Sequence, residues 1–261
     1  MELHLEEAPG SRGSATIVIT NTGEQPLALK IYLGDNQMLP SGQEVELPAG
    51  QHPRSCAAWT TLPTQILELA PGASQRMGVE IAVPGDAVGS YWTKIYIEET
   101  SQPEPAVRQI NGRSYSVFMK QRLAIRLCED AAGTGTLAAR VANVIIPAVK
   151  AGIPGVEVTV ENSGTRIARC SGRVELRDSG GGVLETLPLG SRGEFWVYPG
   201  SKRELSVEAT VPLPAGVFTA LAIVDFGAEY LVAGDAVFRV AENAGAGAPP
   251  APVRPKLGHI P

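Results

Sequence analysis

The side chains that could act as metal ligands or proton carriers are few and widely separated in this chain. Its histidines are His4, His52 and His259, and they fall in the N-terminal segment, a predicted loop and the C-terminal tail. No two of them have the spacing at which side chains share a metal ion, and no cluster of cysteines or aspartates lies beside them. We therefore predict no metal site and no bound cofactor.

Sequence motifs of nucleophilic and phosphate chemistry are also missing. The chain has no Gly-x-Ser-x-Gly elbow, no P-loop and no His-Glu-x-x-His. The glycines around Gly133 superficially resemble a dinucleotide-binding loop, but Pro147 and Pro154 interrupt the segment that follows, which favours a linker. Asp35 and Asp225 end apolar runs, where each could bind a ligand or, as we favour, cap the next turn. We predict that the protein is not an enzyme.

Composition and charge exclude further classes of protein. The 261 residues carry a net charge of −5, which argues against binding to nucleic acid. No stretch of 18 apolar residues occurs, so we predict no membrane-spanning helix. The acidic N-terminus lacks the apolar core of a signal peptide, so either the protein is intracellular or a leader was removed. Cys56, Cys128 and Cys170 are compatible with one disulfide bond or with three free thiols.

A pattern that occurs twice indicates which elements must position any site. Each copy contains an Asn-x-Gly, then a Pro-Gly pair, then an alternating apolar run that ends in Val-Pro. The Pro-Gly pairs lie 128 residues apart, and so do the Val-Pro pairs. The repeated pairs are Pro71-Gly72 and Val83-Pro84 in the first copy, and Pro199-Gly200 and Val211-Pro212 in the second. The chain therefore contains two similar domains.

Alternation with a period of two predicts strands with one buried and one wet face. The 29 glycines and 21 prolines supply turns between many short strands. We therefore predict an all-β fold of two tandem immunoglobulin-like antiparallel β-sandwiches. Their predicted bounds are 1–129 and 137–241, with a linker over 130–136 and a disordered Ala/Gly/Pro tail over 242–261.

Two candidate surfaces for binding other proteins lie in the first domain. Trp92, Lys94 and Tyr96 alternate along one strand, on the face predicted to be the wetter one, so we expect an exposed aromatic patch there. The segment 114–127 reads as one unusually long strand, and at a sheet edge such a strand would accept another chain beside it. Its apolar residues at alternate positions are Tyr115, Val117, Met119, Leu123, Ile125 and Leu127.

The order of these motifs resembles the periplasmic pilus-chaperone family of bacteria and its two-domain immunoglobulin-like relatives. The resemblance rests on the Pro53–Trp59 segment, on Leu67–Ser74, on Val83-Pro84, and on Gly89–Trp92 leading into a long apolar strand. It implies a non-enzymatic protein of the periplasm or cell surface that lends its long strand to a pilin, with Tyr115, Val117 and Met119 as donor side chains.

The same resemblance implies a basic anchor for the partner's terminal carboxylate. Ala124 stands where the family has its anchoring lysine, so Arg122 and Arg126 are the alternative anchors. The preferred hypothesis is a chaperone or assembly factor for surface fibres that acts by strand addition. The alternatives are a structural subunit of a pilus, filament or surface layer that binds copies of itself, and, ranked last, an enzyme or carbohydrate-binding module with a site built from loops.

Overall fold

The computed structural model describes residues 1–100, 106–110, 113–117 and 120–242, and these residues form β-strands joined by turns. By internal contacts the chain divides into two compact units: Met1–Gln37 with Val45–Thr134, and Met38–Glu44 with the chain from Gly135 onward. The strands of the first half are β1 (Glu2–Leu5), β2 (Arg12–Thr20), β3 (Leu27–Met38), β4 (Glu44–Pro48), β5 (Thr60–Thr61), β6 (Ile66–Leu69), β7 (Ser74–Ala82), β8 (Gly89–Glu99), β9 (Ala106–Ile110), β10 (Arg113–Val117) and β11 (Arg122–Ala131), with a short 3₁₀-helix at Ala57–Trp59.

The first unit is a β-sandwich. One sheet has the order β1-β11-β8-β3-β4, with β6 also paired to β3, and the other has the order β2-β7-β5. Alternation builds the core between them: Met77, Val79 and Ile81 of β7 are buried, and the residues between them are exposed. They share one apolar cluster with Ile95 and Leu127 of the facing sheet. Residues 130 and 131, predicted to begin the linker, continue β11.

The second unit repeats this architecture. Its strands are β12 (Ala139–Ile145), β13 (Val149–Lys150), β14 (Ile153–Asn162), β15 (Ala168–Arg177), β16 (Val183–Pro188), β17 (Glu194–Val197), β18 (Lys202–Glu208), β19 (Gly216–Asp225) and β20 (Val232–Val240). One sheet joins β12, β13 and β18 to β14, and the other has the order β16-β15-β19-β20, with β17 also on β15. Val158, Leu176 and Val224 lie in the single core between these sheets. The predicted pair of immunoglobulin-like sandwiches is confirmed.

The asparagine of the repeated Asn-x-Gly, which we call the corner asparagine, is buried and joins the turn after β2 to the turn between β6 and β7. In the first unit, Asn21 Nδ2 donates to the carbonyls of Gln25 (2.8 Å) and Leu69 (3.0 Å). Its Oδ1 accepts a hydrogen bond from the N–H of Gly23 (3.0 Å), and its backbone carbonyl accepts one from the N–H of Gly72 (2.9 Å). The side chain of this one residue thus joins the turn after β2 to the end of β6, and its backbone carbonyl bonds to the turn before β7. Together they provide partners for backbone groups that are unpaired within the sheets.

Asn162 makes the same bonds in the second unit. Its Nδ2 donates to the carbonyls of Arg166 (2.8 Å) and Val197 (2.9 Å), and its Oδ1 accepts the Gly164 N–H (2.9 Å). Its carbonyl accepts the N–H of Gly200 (2.9 Å). The sequence repeat is therefore a repeat of hydrogen bonds as well as of strands.

Replacement of either corner asparagine should destabilise its own unit. In Asn21→Ala and Asn162→Ala, one buried carbonyl, one part-buried carbonyl and one N–H lose their partner, so we expect a loss of about 2–4 kcal/mol in the free energy of unfolding. Asp at either position keeps the acceptor and loses both donors, so it should be comparably unfavourable. Urea titration followed by tryptophan fluorescence measures the loss. The exposed neighbours supply controls, because Thr22→Ala and Ser163→Ala should change stability by less than about 0.5 kcal/mol; equal losses in controls and corner variants would contradict the assignment.

Candidate functional site: the edge of strand β11

The strand predicted over 114–127 is interrupted, so that prediction is wrong. Its first part is β10, which pairs with β9 as a separate antiparallel ribbon, and its second part belongs to β11. Ile110 and Arg113 are partners in the ribbon, and the two residues between them in sequence are Asn111-Gly112. Asn-Gly between apolar runs is a strong hairpin signal, and the sequence analysis missed it.

Strand β11 has one edge fully paired and the other only partly paired. Along one side it is antiparallel to β8 from Arg122 to Ala131. Along the other side the N-terminal strand β1 runs parallel to it, but only from Arg126 to Glu129. Among the described residues, no strand pairs with the outer edge of β11 over 122–125.

The backbone groups at this open edge can be identified from the register. Glu99 N–H donates to the carbonyl of Gln121 (3.0 Å), so odd-numbered residues of this stretch bond toward β8. Even-numbered residues then direct their N–H and C=O groups outward, and the Arg126 N–H does bond outward, to the Met1 carbonyl (3.2 Å). The corresponding groups of Arg122 and Ala124 face outward beyond the end of β1. They form a short template for another strand.

The residues predicted to accept a strand fall in different environments, and one of them, Leu127, is fully buried in the core. Leu123 lies at the open edge and is 64% exposed, whereas its neighbour on the same face, Ile125, is 4% exposed and belongs to the core. Tyr115 is 47% exposed, but it lies on β10 and not on β11. The side chain of Val117 and the whole of Met119 lie outside the described residues. The structure thus brings Leu123 and Ile125 together beside the open edge.

Arg122 is already engaged by its own unit. Its guanidinium pairs with Glu46 (2.5 Å) and lies 4.8 Å from the centre of the Tyr96 ring. Hydrogen bonding to Tyr32 and to Glu46 raises the pKa of Arg122 above its ordinary value. Arg126, the other predicted anchor, is half-buried opposite Lys94 in the sheet. An anchoring role for either arginine stays a prediction.

The predicted exposed patch is wrong, because its three residues are buried. Trp92, Lys94 and Tyr96 are 2%, 8% and 3% exposed. The Trp92 ring is covered by His52 (4.6 Å between centroids), and its Nε1 donates to the carbonyl of Asn36 (3.2 Å). Tyr96 packs so closely over β3 that a Cβ on Gly34 would lie 2.7 Å from its ring. Burial raises the pKa of Tyr96 to about 12.

Asp35 does not cap a turn, because β3 continues past it to Met38. It is fully buried, and its carboxylate accepts hydrogen bonds from Ser55 Oγ (2.7 Å), the His52 N–H (3.0 Å) and Thr93 Oγ1 (3.2 Å). The His52 ring accepts from the Arg54 N–H through Nδ1 (3.1 Å), so it does not connect Ser55 to Asp35. Burial also lowers the pKa of His52. These contacts hold the 52–56 loop on β3, and they do not form a catalytic triad.

The three thiols are buried and unbridged. Burial raises the pKa of Cys170 to about 12 and that of Cys56 well above its usual range, which suppresses the reactive thiolate. Within the described part of the chain, no group of three or more His, Cys, Asp or Glu residues could hold a metal ion.

The second unit has two adjoining shallow depressions of about 410 and 390 Å³. They share Ser171, Glu194 and Asp225. Asp225 caps its turn as predicted, because its Oδ1 accepts the Gly227 N–H (2.9 Å). Arg169 stacks on Trp196 at 5.3 Å. No histidine lines either depression.

A buried acid lies where β11 meets the N-terminal segment. Glu129 is fully buried; one carboxylate oxygen accepts the Glu7 N–H (2.9 Å), and the other has no hydrogen-bond partner. The pKa of Glu129 is raised from 4.5 to about 7, chiefly by burial and also by the negative charges of Glu7, Asp130 and Glu6, against the lowering effect of the Glu7 N–H. Next to it, His4 Nε2 lies 2.8 Å from the buried carboxylate of Asp130.

No helix in the described ranges is long and apolar enough to cross a membrane.

Glu129 should make stability depend on pH. The carboxyl group of Glu129 holds its proton more tightly in the folded state than in the unfolded chain. Its contribution to the free energy of unfolding is therefore fully present below pH 4.5 and is lost as pH rises through about 7. Glu129→Gln keeps an uncharged side chain at every pH, so we expect it to be more stable than the wild type at pH 8 by on the order of 1–3 kcal/mol and similar to it at pH 4.5. Chemical denaturation at several pH values measures this difference. The exposed Glu68→Gln is the control, and a constant offset between wild type and Glu129→Gln across pH would contradict the prediction.

No protein-family model matches this chain, and no curated protein sequence matches it. Solved structures with a similar fold include a chain of the CsuC–CsuE chaperone–tip subunit complex of Acinetobacter baumannii, 12% identical over 88% of this chain and 93% of that one, with a TM-score of 0.48. A chain of the chaperone–tip adhesin complex of CFA/I fimbriae is 13% identical over 90% and 94%, with a TM-score of 0.46. The CupB2 chaperone of Pseudomonas aeruginosa is 14% identical over 91% and 97%, with a TM-score of 0.41. At the level of fold, the chain is similar to the chaperones of chaperone–usher pili.

Proposed function

We propose that this protein is a non-enzymatic binding protein that holds an extended segment of another protein along the open edge of β11. Its partner is a subunit of a surface fibre, its role is that of a chaperone or assembly factor, and it works in the periplasm or at the cell surface. The observation that carries the proposal is the outer edge of β11 over 122–125, where backbone groups face outward with no strand beside them in the described chain.

The chemistry of this edge suits strand addition. An incoming strand would satisfy the outward N–H and C=O groups of Arg122 and Ala124 and would contribute affinity through main-chain hydrogen bonds. Leu123, which is 64% exposed, offers an apolar contact on the core side of the sheet. Burying that side chain would add roughly 1–2 kcal/mol. An extended segment with apolar residues at alternate positions is therefore the preferred partner.

The rest of the first unit supports a holding role for this edge. The guanidinium of Arg122 is fixed on the opposite face of the sheet by Glu46 and by the Tyr96 ring. The neighbouring strand β8 is paired on both sides, to β11 and to β3. An edge that is held this rigidly loses little conformational entropy when a partner binds.

Blocking the edge without altering the sheet should abolish capture of the partner. Ala124→Pro removes an outward-facing N–H that is not used in pairing with β8, and edge positions of this kind tolerate proline. We expect Ala124→Pro and Leu123→Asp to reduce recovery of partner subunits from the native host by at least about tenfold, which corresponds to a loss of 1.4 kcal/mol. Affinity purification followed by quantitative mass spectrometry measures this recovery.

Matched variants separate the edge from general effects on the fold. Ala124→Thr keeps the N–H, and Ile66→Asp changes a side chain that is 74% exposed on a different strand of the same sheet, so both should capture partners like the wild type. Thermal unfolding verifies that all four variants are folded. Capture that is unchanged in Ala124→Pro and Leu123→Asp would overturn the proposal. Concentration-dependent self-association lost in the same two variants would identify a second copy of this chain as the partner.

A further inference from the structure

The second half of the β11 edge is covered by the chain's own N-terminus. Strand β1, with four residues, pairs with Arg126–Glu129 and has no strand on its other side in the described chain. It runs parallel to β11, and its register places Leu3 beside Leu127 and His4 beside Cys128. Chemically, β1 is an extended segment bound at a strand-acceptor edge.

Strand β1 buries only part of its apolar surface. Leu3 and Leu5 are only partly buried against the core, and Glu2 and His4 point to the other face. Beyond the strand, the Ala132 N–H donates to the Glu7 carbonyl (2.8 Å), and the Glu7 N–H donates to Glu129 (2.9 Å). A short strand paired on one side with little apolar burial belongs to the least stable part of a fold.

Electrostatics weaken this contact further. Glu6 and Glu7 of the N-terminal segment approach Glu129 of β11 closely enough to raise its pKa, and His4 Nε2 lies 2.8 Å from the carboxylate of Asp130. The Glu129 oxygen that lacks a partner is buried beneath this segment. Packing like charges together in a buried site disfavours the docked state. The negative charges of Glu6 and Glu7 therefore oppose docking of the N-terminal segment beside Glu129.

We propose that the strand-acceptor surface of β11 extends from Arg122 to Glu129 and that β1 is a built-in competitor, which the extended segment of a partner displaces. The proposal deepens the proposed function and rests on it. A partner segment would first pair with the open residues 122–125 and then replace β1 along 126–129, because both halves belong to one continuous edge.

The residues of β1 indicate which partner segment fits the covered half. Apolar side chains at alternate positions would take the places of Leu3 and Leu5 against the core. A basic side chain between them would take the place of His4 beside Asp130. The occupant is therefore an extended protein segment in which apolar residues alternate and a basic residue lies between two of them.

A disulfide lock on the full-length protein tests displacement directly. His4 and Cys128 are cross-strand partners, and neighbouring strands lie about 4.8 Å apart, within the Cα separation that a disulfide bond requires. In His4→Cys, oxidation should join β1 to β11 through the native Cys128, and reduction should release it. The probe is a fluorescent synthetic peptide with the sequence of residues 1–8, Met-Glu-Leu-His-Leu-Glu-Glu-Ala, followed by fluorescence anisotropy.

We expect the peptide to bind the wild type and reduced His4→Cys, and to bind oxidised His4→Cys at least about tenfold more weakly, because the locked edge is no longer available. His4→Ser is the matched control; it also lacks the imidazole but cannot be locked, so oxidation should not change its binding. A peptide with aspartate in place of both leucines should not bind. Equal binding by the oxidised and reduced forms, or no binding to any form, would overturn the proposal.

The two proposals can fail separately. If strand addition occurs only at residues 122–125, Ala124→Pro loses partner capture while oxidised and reduced His4→Cys capture equally. If the protein does not act by strand addition, Ala124→Pro captures its partners normally, and displacement of β1 by the peptide still shows whether the N-terminal strand exchanges.

Discussion

A β-sheet must satisfy the backbone groups of its outermost strands, and the architecture of the first unit depends on how this constraint is met at β11. On its inner side β11 is paired with β8 along its whole length. On its outer side it is paired with β1 from Arg126 to Glu129, and no strand of the described chain pairs with it over 122–125. Unpaired edges invite other chains, and proteins normally shorten or cover them. In this unit the N-terminal strand provides that cover only in part, so β11 is both part of the sandwich core and the strand at which we propose that a partner binds.

The two faces of the sheet that contains β11 have different side chains. The inner face is apolar and closes the core with β2 and β7. On the outer face, the rings of Tyr32 and Tyr96 stack at 5.3 Å, and Arg122 lies over the second ring. Asp35 and the 52–56 loop cover the far end of this face. These contacts bury side chains such as Tyr96, which the alternating pattern predicts to be exposed. They cover the outer face of the sheet next to the open edge of β11.

The duplicated corners explain how one chain builds this architecture twice. Asn21 and Asn162 have the same partners at the same distances within a few tenths of an ångström. The shared residues therefore serve folding in both units. The features with binding potential lie outside the repeat, at the N-terminal strand and the last strand of the first unit. This division is consistent with the proposed function, in which the repeated residues fold both units and the residues outside the repeat bind a partner.

Local pattern was enough to predict the strands, their buried faces and the two sandwiches, because period-two alternation and Gly/Pro turns are short-range properties. Sequence also contained, at Asn111-Gly112, the hairpin signal between β9 and β10, which pair as a ribbon separate from β11. It did not determine which strands become neighbours, because register and pairing depend on residues far apart in the chain. Only the tertiary structure therefore decided that Trp92, Lys94 and Tyr96 are buried, that Glu129 lies beneath the N-terminal segment, and that the edge of β11 stays open at Leu123 and is covered by β1 beyond Ile125.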